Sequence, residues 1–183
     1  MISARLSLSA ALLCLSAALP AAASAQTAME HGTTPSEILL KGADGKTIGT
    51  IAVTDAPKGV ILRVQAKGLR PGWHGIHFHE TGDCSAPSFK SAGGHVHTQS
   101  PVVHGLLNAN ANDDGDLPNL RVADDGTAMA EFYSTLVSLH GTGGRPALLD
   151  KDGASVVIHE NPDDYKTQPI GGAGSRVACA VIR

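Results

Sequence analysis

The sequence predicts an all-β fold, an antiparallel sandwich or barrel, and three observations support this. Glycine and proline are abundant, with 21 and 10 of the 183 residues, which favours turns over long helices. Short apolar segments alternate with turn signals such as Asp124-Asp125-Gly126. No stretch keeps a helical hydrophobic period for about three turns. The hydrophobic content of 42% is enough for one packed core.

The expected strands follow one another along most of the chain. In the third of them, Val60, Leu62 and Val64 alternate with more polar positions, as in a half-buried strand. The predicted strands are residues 37–41, 48–54, 60–66, 75–79, 120–123, 128–136, 154–159 and 177–182. Two long segments, 81–118 and 161–175, show no strand pattern, and loops of such length in a compact domain are usually functional.

The N-terminus reads as an export signal. Arg5 precedes an apolar run at 6–19, and Ala23-Ser24-Ala25 has the form of a signal-peptidase site, so we expect cleavage before Gln26. The apolar run is too short for a membrane anchor. Cys14 follows two leucines rather than small residues, which disfavours a lipoprotein site. The predicted organisation is a signal peptide at 1–25, a flexible arm at 26–35 and one domain at 36–183.

Charge and cysteine content restrict the classes of partner. The net charge is −3 and there is no run of lysine or arginine, which argues against nucleic-acid binding. Once the signal is removed, no membrane segment is expected. Cleavage also leaves only Cys84 and Cys179, and two cysteines in an exported chain suggest one disulfide. Two free thiols are the alternative.

The nine histidines are the unusual feature of the composition. In a strand, His77 and His79 point to the same face, with Cα atoms roughly 6.5–7 Å apart, a suitable spacing for two ligands of one metal. Ile76 and Phe78 point the other way, towards a core. His74 shares their parity, so we expect a hydrogen-bonded core histidine there.

Further metal-type side chains lie in the first long loop and at the end of a late strand. The loop contains His95, His97, His104, Asp113 and Asp116. His159 ends the apolar strand Val156-Val157-Ile158, next to the second long loop. Imidazole suits copper and zinc, and a carboxylate added to imidazoles suits zinc. These residues predict a metal site, but they do not by themselves identify the metals or the reaction.

Five specific motifs connect this chain to a known family. In order, they are Gly72-Trp73-His74-Gly75-Ile76-His77-Phe78-His79-Glu80, Ser91-Ala92-Gly93-Gly94-His95, Gly115-Asp116-Leu117-Pro118, Val157-Ile158-His159-Glu160 and Gly171-Gly172-Ala173-Gly174-Ser175-Arg176-Val177-Ala178-Cys179. From about Ser36 onwards, the chain resembles the copper–zinc superoxide dismutases in their bacterial exported form. The resemblance implies an immunoglobulin-like Greek-key sandwich or barrel of about eight antiparallel strands, with two long functional loops. It also implies the periplasm as the location.

The resemblance implies two metal cofactors, copper and zinc, and a ligand set for each. The copper ligands would be His77, His79, His95 and His159. His95 would bridge the two metals through its two ring nitrogens. The zinc ligands would be completed by His104, Asp116 and the residue three before it, Asp113.

Three further features of the family match residues of this chain. Arg176 matches the arginine that lies over the copper and attracts the anionic substrate. Asp163 matches the carboxylate that hydrogen-bonds a copper histidine and a zinc histidine, here expected to be His77 and His104. The family's intradomain disulfide corresponds to Cys84 and Cys179.

The chain departs from the family pattern at Asp113, because the family usually has histidine three residues before the zinc aspartate. We expect Asp113 to bind zinc, which would lower the charge of the metal cluster from about +2 to about +1 and weaken its attraction for an anion. In the alternative, Asp113 faces solvent and zinc is weak or absent. His97 stands where the family usually has Asn or Asp, and its alternation with His95 makes it a poor substitute ligand.

The implied activity is that of an oxidoreductase that disproportionates superoxide to dioxygen and hydrogen peroxide by cycling copper between two oxidation states. In the family, His95 takes up a proton when its bond to reduced copper breaks. Lys90 and Lys166 are candidate helpers of Arg176 in attracting the small anionic substrate. The alternatives are a copper-only dismutase with a vestigial zinc site, a non-catalytic copper-binding or copper-delivery module, and a sandwich with structural histidines. Bacterial members occur as monomers and as dimers, so a homodimer remains an open expectation.

Overall fold

A computed structural model describes residues 36–183 of the chain, so the predicted signal peptide at 1–25 and the whole of the predicted arm at 26–35 lie outside the described residues. Nine strands form in this part. They are β1 (Ile38–Gly42), β2 (Thr47–Ala56), β3 (Gly59–Lys67), β4 (Gly72–His74), β5 (Ile76–His79), β6 (Leu120–Val122), β7 (Thr127–Ser134), β8 (Ala154–His159) and β9 (Arg176–Ile182). Two single 3₁₀ turns, Lys90–Ala92 and Thr142–Gly144, are the helical segments within 36–183.

The strands form one curled antiparallel sheet and one small sheet. The seven strands of the large sheet lie in the order β5-β8-β9-β1-β2-β3-β7, and β4 pairs only with β6. This arrangement confirms the predicted all-β class. The strand predicted at 75–79 begins at Ile76 in the structure, one residue later than expected. Gly75 separates β4 from β5, which belong to different sheets. No helix among the described residues is long and apolar enough to cross a membrane.

Alternating side chains of the central strands build the core. In β3, the side chains of Val60, Leu62 and Val64 are buried. The strand pairs with β7, where Leu62 is opposite Phe132. β8 does not alternate, since all six of its residues are buried. Val156 and Ile158 join the main core, whereas Val157 packs outwards against residues of the long loop. The loop therefore covers the outer face of β8, a tertiary effect that strand periodicity does not reveal.

A disulfide anchors this covering loop to the barrel. Cys84 of the loop is bonded to Cys179 of β9, with their Cα atoms 5.7 Å apart, which confirms the predicted pairing. Phe89 and Ala92 pack beside the bridge, in a second small apolar cluster. The bridge closes a span of 95 residues, worth about 4–5 kcal/mol on the chain-entropy model.

Candidate metal centre

Four buried imidazoles converge at one end of β5 and β8. His77 and His79 extend from the same face of β5, His95 comes from the long loop, and His159 ends β8. We call these residues the four-imidazole group. One ring nitrogen from each lies within 4.8 Å of the corresponding atom of the others. His79 and His95 also form an isolated β-bridge, which explains how a loop residue is held against the strand.

Hydrogen bonds on the far side of each ring orient the four-imidazole group. His79 Nδ1–H donates to the Gly93 carbonyl (3.1 Å), and His159 Nδ1–H donates to the Gly174 carbonyl (3.2 Å). His77 Nε2–H donates to Asp163 Oδ2 (2.9 Å). Because a carbonyl or carboxylate oxygen accepts, the proton lies on the bonded nitrogen and the lone pair on the other one.

The nitrogens that carry these lone pairs have no hydrogen-bond partner. Among the described residues, no group satisfies His77 Nδ1, His79 Nε2, His95 Nε2 or His159 Nε2, although all are buried. Leaving a buried polar atom unpaired costs roughly 1–3 kcal/mol, so four such atoms facing one point need a strong reason. Their geometry and chemistry fit a copper ion.

The protonation of these rings suits metal binding. Burial lowers the pKa of His77 to about 4, although Asp163 opposes the shift. Burial, reinforced by the neighbouring His77, lowers the pKa of His159 to about 3. The pKa of His79 is also lowered, chiefly by burial. The three imidazoles are therefore neutral at pH 7 and offer lone pairs rather than positive charges.

A second set of side chains meets on the opposite edge of His95. It consists of His95, His104, Asp113 and Asp116, and we call it the carboxylate group. Asp113 Oδ2 lies 2.7 Å from His95 Nδ1 and 3.2 Å from His104 Nδ1. Asp116 Oδ1 lies 2.7 Å from His104 Nδ1 and 3.7 Å from His95 Nδ1. Neighbouring ligands of tetrahedral zinc with bonds of about 2.0–2.1 Å lie about 3.3 Å apart, so these four atoms fit zinc.

His77 lies near enough to this second set to be considered as an alternative ligand. One ring nitrogen of His77 falls within 4.8 Å of ligand atoms of His95, His104 and Asp116. However, Nε2 of His77 is bonded to Asp163, and its lone pair on Nδ1 belongs to the four-imidazole group. Asp113 Oδ2 contacts both other imidazoles of the carboxylate group directly, which makes Asp113 the better candidate for that place on geometry.

The carboxylate group attracts positive charge strongly. Burial disfavours a charged His104, but hydrogen bonds to Asp113, Asp116 and Asp163 outweigh it and raise the pKa of His104 to about 11. Burial likewise opposes charge on Asp113, yet hydrogen bonds from His104 and His95 hold its pKa below its usual value. Protons on the imidazoles thus balance the carboxylates in the metal-free protein, and a bound cation would displace those protons.

Asp163 connects the two sets of ligands. Its Oδ2 accepts from His77 Nε2 (2.9 Å), and its Oδ1 accepts from His104 Nε2 (3.0 Å). Gly171 makes room for this carboxylate, because a Cβ on Gly171 would lie 1.6 Å from Asp163 Oδ1, and its φ of +60° also favours glycine. One buried carboxylate therefore links the four-imidazole group to the carboxylate group.

Arg176 lies beside the four-imidazole group at the start of β9. It is the cross-strand partner of His159, and its guanidinium donates to the carbonyls of Phe89 (2.6 Å) and Gly93 (2.6 Å). Burial lowers the pKa of Arg176, but a guanidinium keeps its charge at any physiological pH. The two carbonyls hold this half-buried cation in one orientation.

Two other histidines considered in the sequence analysis, His74 and His97, lie outside both groups. His74 is buried in the core, and its ring nitrogens contact the carbonyls of His159 (2.6 Å) and Arg70 (2.7 Å). His97 Nδ1 donates to the carbonyl of His95 (2.8 Å) and joins neither set of ligand atoms. His74 thus supports the backbone of His159 from inside the barrel.

Sequence reasoning missed two amides that hold the site together. Asn119 binds the backbone of Asp163 at both ends, accepting from its N–H and donating to its carbonyl, each at 2.8 Å. Gln168 does the same for the backbone of His104, at 2.9 and 2.8 Å. The contacts span 44 and 64 residues, so no local pattern in a single sequence could have revealed them.

Comparisons with known proteins agree with this geometry. A family model described as copper/zinc superoxide dismutase (SODC) matches residues 47–182. The superoxide dismutase (Cu-Zn) of Caulobacter vibrioides is 66% identical over 145 residues, which are 79% of this chain and 83% of that protein. Superoxide dismutase (Cu-Zn) 2 of Aquifex aeolicus is 39% identical and covers 79% of this chain and 84% of its own length.

Solved structures are similar as well. The Cu/Zn superoxide dismutase from Brucella abortus aligns with a TM-score of 0.65 at 28% identity, over 82% of this chain and all of that one (100%). A superoxide-dismutase-like protein from Bacillus subtilis aligns with a TM-score of 0.73 at 34% identity, over 80% of this chain and 97% of its own.

Proposed function

Because this chain belongs to the copper/zinc superoxide dismutase family, we propose that it disproportionates superoxide with copper bound by the four-imidazole group and zinc bound by the carboxylate group. The observation that carries the proposal is the convergence of four buried, partnerless ring nitrogens. Bound copper would supply alternating one-electron reduction and reoxidation, by which two superoxide ions and two protons become dioxygen and hydrogen peroxide.

The residues around the copper position have distinct roles in this proposal. Arg176 attracts and orients the superoxide anion, because it is the fixed cation beside the four imidazoles. The whole chain is negatively charged, so this local charge, with that of the metals, must exceed the long-range repulsion. His95 Nε2 faces the four-imidazole group and can hold a proton destined for peroxide.

His95 is the shared member of both groups. Its Nε2 belongs to the four-imidazole group, while its Nδ1 lies 2.7 Å from Asp113. One ring can therefore contribute a lone pair to each metal when it is fully deprotonated. Asp163 keeps His77 and His104 at fixed distances from this ring, which supports a copper and a zinc position that are preformed.

The assay that tests the function is superoxide consumption by the purified protein, measured by stopped flow before and after addition of copper and zinc. Activity that depends on copper is expected. A copper-delivery module would bind copper without consuming superoxide. A copper-only dismutase would reach full activity without zinc. Copper binding without superoxide consumption would overturn the proposed enzyme. Full activity without zinc would overturn the proposed zinc site.

Asp113 is expected to be a zinc ligand, so replacing it with alanine should weaken zinc binding while copper stays bound. The loss in affinity should exceed about 100-fold, because even an outer hydrogen-bond partner of a metal ligand is worth 10–100-fold. Metal analysis after dialysis against a zinc buffer measures this. The control is Asp114→Asn, which removes the negative charge of the neighbouring residue. The native Asp114 carboxylate accepts from Thr98 Oγ1 (3.0 Å). Wild-type protein that holds copper without near-equal zinc would contradict the assignment.

Export is part of the proposal. Residues 1–25 would be removed as a signal peptide, leaving a mature chain that begins with Gln26, and the periplasm is the expected location. The disulfide supports an oxidising compartment. Mass spectrometry of the exported protein tests the cleavage site, and light scattering of the same sample distinguishes a monomer from a homodimer.

A further inference from the structure

One peptide group holds both Arg176 and His79 in place. The Gly93 carbonyl accepts from Arg176 Nη2 (2.6 Å) and from His79 Nδ1 (3.1 Å). The N–H at the other end of the same planar peptide, that of Gly94, donates to Glu80 Oε1 (2.9 Å). The orientation of a single amide plane therefore determines whether both side chains have their acceptor.

This peptide is intrinsically easy to turn over. It joins two glycines, so no Cβ opposes rotation of the amide plane. Gly93 has φ +75° and ψ −156°, a conformation that other residues rarely adopt. A Cβ on Gly93 would also lie 2.7 Å from Glu80 Cγ, so the close approach of Glu80 requires glycine at this position. Because the two glycines leave the Gly93–Gly94 amide plane free to rotate, another contact must fix its orientation.

Glu80 is well placed to fix it. Its own backbone N–H donates to the Gly94 carbonyl (3.0 Å), so its side chain starts from a held position. An acceptor oxygen on this side chain, of a carboxylate or of an amide, ties the Gly94 N–H to the residue that follows β5. By polarising the peptide, it also strengthens the carbonyl at the other end as an acceptor.

We propose that Glu80 is a positioning residue for the dismutase reaction: its carboxylate fixes the Gly93–Gly94 peptide so that the Gly93 carbonyl orients Arg176 and the copper-ligand candidate His79. The inference rests on the proposed function, since it assigns Glu80 a role in that reaction. Glu80 does not contact the four-imidazole ring nitrogens that face the copper position. Its side chain is 45% exposed, so its removal leaves no buried gap.

Two substitutions separate the acceptor role from simple presence of a side chain. Glu80→Gln keeps an acceptor oxygen at similar reach, whereas Glu80→Met keeps the length and removes the acceptor. The control is Asp152→Asn, which removes one negative charge from the same surface pocket. The pocket is lined by Glu80 and Asp152 together, so the control tests whether local charge alone explains an effect.

The main measurement is the affinity of the copper- and zinc-loaded protein for azide, an anionic probe that reports on Arg176, beside the rate constant for superoxide. Glu80→Met should weaken azide binding and lower the rate constant by about three- to tenfold, the value of one hydrogen bond, with copper content unchanged. Glu80→Gln and Asp152→Asn should stay within about twofold of wild type. Wild-type azide affinity in Glu80→Met, or equal loss in Glu80→Gln, would overturn the proposal.

Amide exchange at Gly94 separates this inference from the proposed function. In the reduced, diamagnetic protein, Glu80→Met should speed exchange of the Gly94 N–H by about tenfold, and Glu80→Gln should not. Absence of superoxide consumption in wild type would refute the dismutase, yet the exchange experiment would still decide whether Glu80 fixes the peptide. Unchanged exchange in Glu80→Met would refute the fixing role even in an active enzyme.

Discussion

Replacing His159 with glutamine is expected to lower copper-dependent superoxide consumption by more than about 100-fold, because loss of even an outer partner of a metal ligand costs 10–100-fold. His159 ends β8 with its ring already oriented by the Gly174 carbonyl, so its Nε2 has one available role. Glutamine preserves hydrogen-bonding capacity but not the imidazole lone pair. Copper stoichiometry and the rate of superoxide decay, measured on the same sample, separate lost metal from lost turnover.

The matched control for this prediction is His140→Gln. His140 is exposed and belongs to neither group of ligands, so copper content and rate should remain at wild-type values. A His159→Gln protein that keeps both full copper and full activity would show that His159 is structural. It would also remove the strongest support for the copper site.

Replacing Arg176 with alanine is expected to reduce the rate constant at low ionic strength by about 10- to 100-fold, within the range of electrostatic steering. The guanidinium is held beside the four-imidazole group by the carbonyls of Phe89 and Gly93, and no other cation within 36–183 has these contacts. Salt screens attraction between an anion and an accessible cation, so the wild-type rate should fall as ionic strength rises. The Arg176→Ala rate should depend less on salt. Stopped-flow measurements from low to high ionic strength test both statements.

Arg63→Ala provides the control for net charge. Arg63 is exposed on the outer face of β3 and pairs with Glu131. Its replacement by alanine therefore removes the same formal charge as Arg176→Ala, but away from the site. Its rate and salt profile should match those of wild type. If Arg176→Ala retained the wild-type salt profile, Arg176 would not be the residue that attracts superoxide.

Local patterns were sufficient to predict several parts of the molecule. The period of two placed His77 and His79 on one face and Phe78 in the core, because backbone geometry alone determines that alternation. The same reasoning placed the alternating β3 strand correctly. The expected export signal left two cysteines and favoured one disulfide, the family resemblance implied the same pair, and the bond between Cys84 and Cys179 confirms it.

Other parts depend on contacts between distant segments, which periodicity does not contain. β8 is buried on both faces because the disulfide-anchored loop covers Val157. The supports provided by Asn119 and Gln168 cross the two long loops, where there is no repeating pattern. The approach of Asp113 to His95 and His104 also arises within an irregular loop, so motif spacing could only suggest it.

The Cys84–Cys179 bridge joins β9 to the segment that carries the two carbonyl acceptors of Arg176. Formation of this disulfide therefore fixes the loop whose carbonyls orient the guanidinium of Arg176. A chain kept in a reducing environment would lack that covalent link, and the guanidinium of Arg176 would be held less firmly. The orientation of this cation is thus coupled to the redox state of the chain's surroundings.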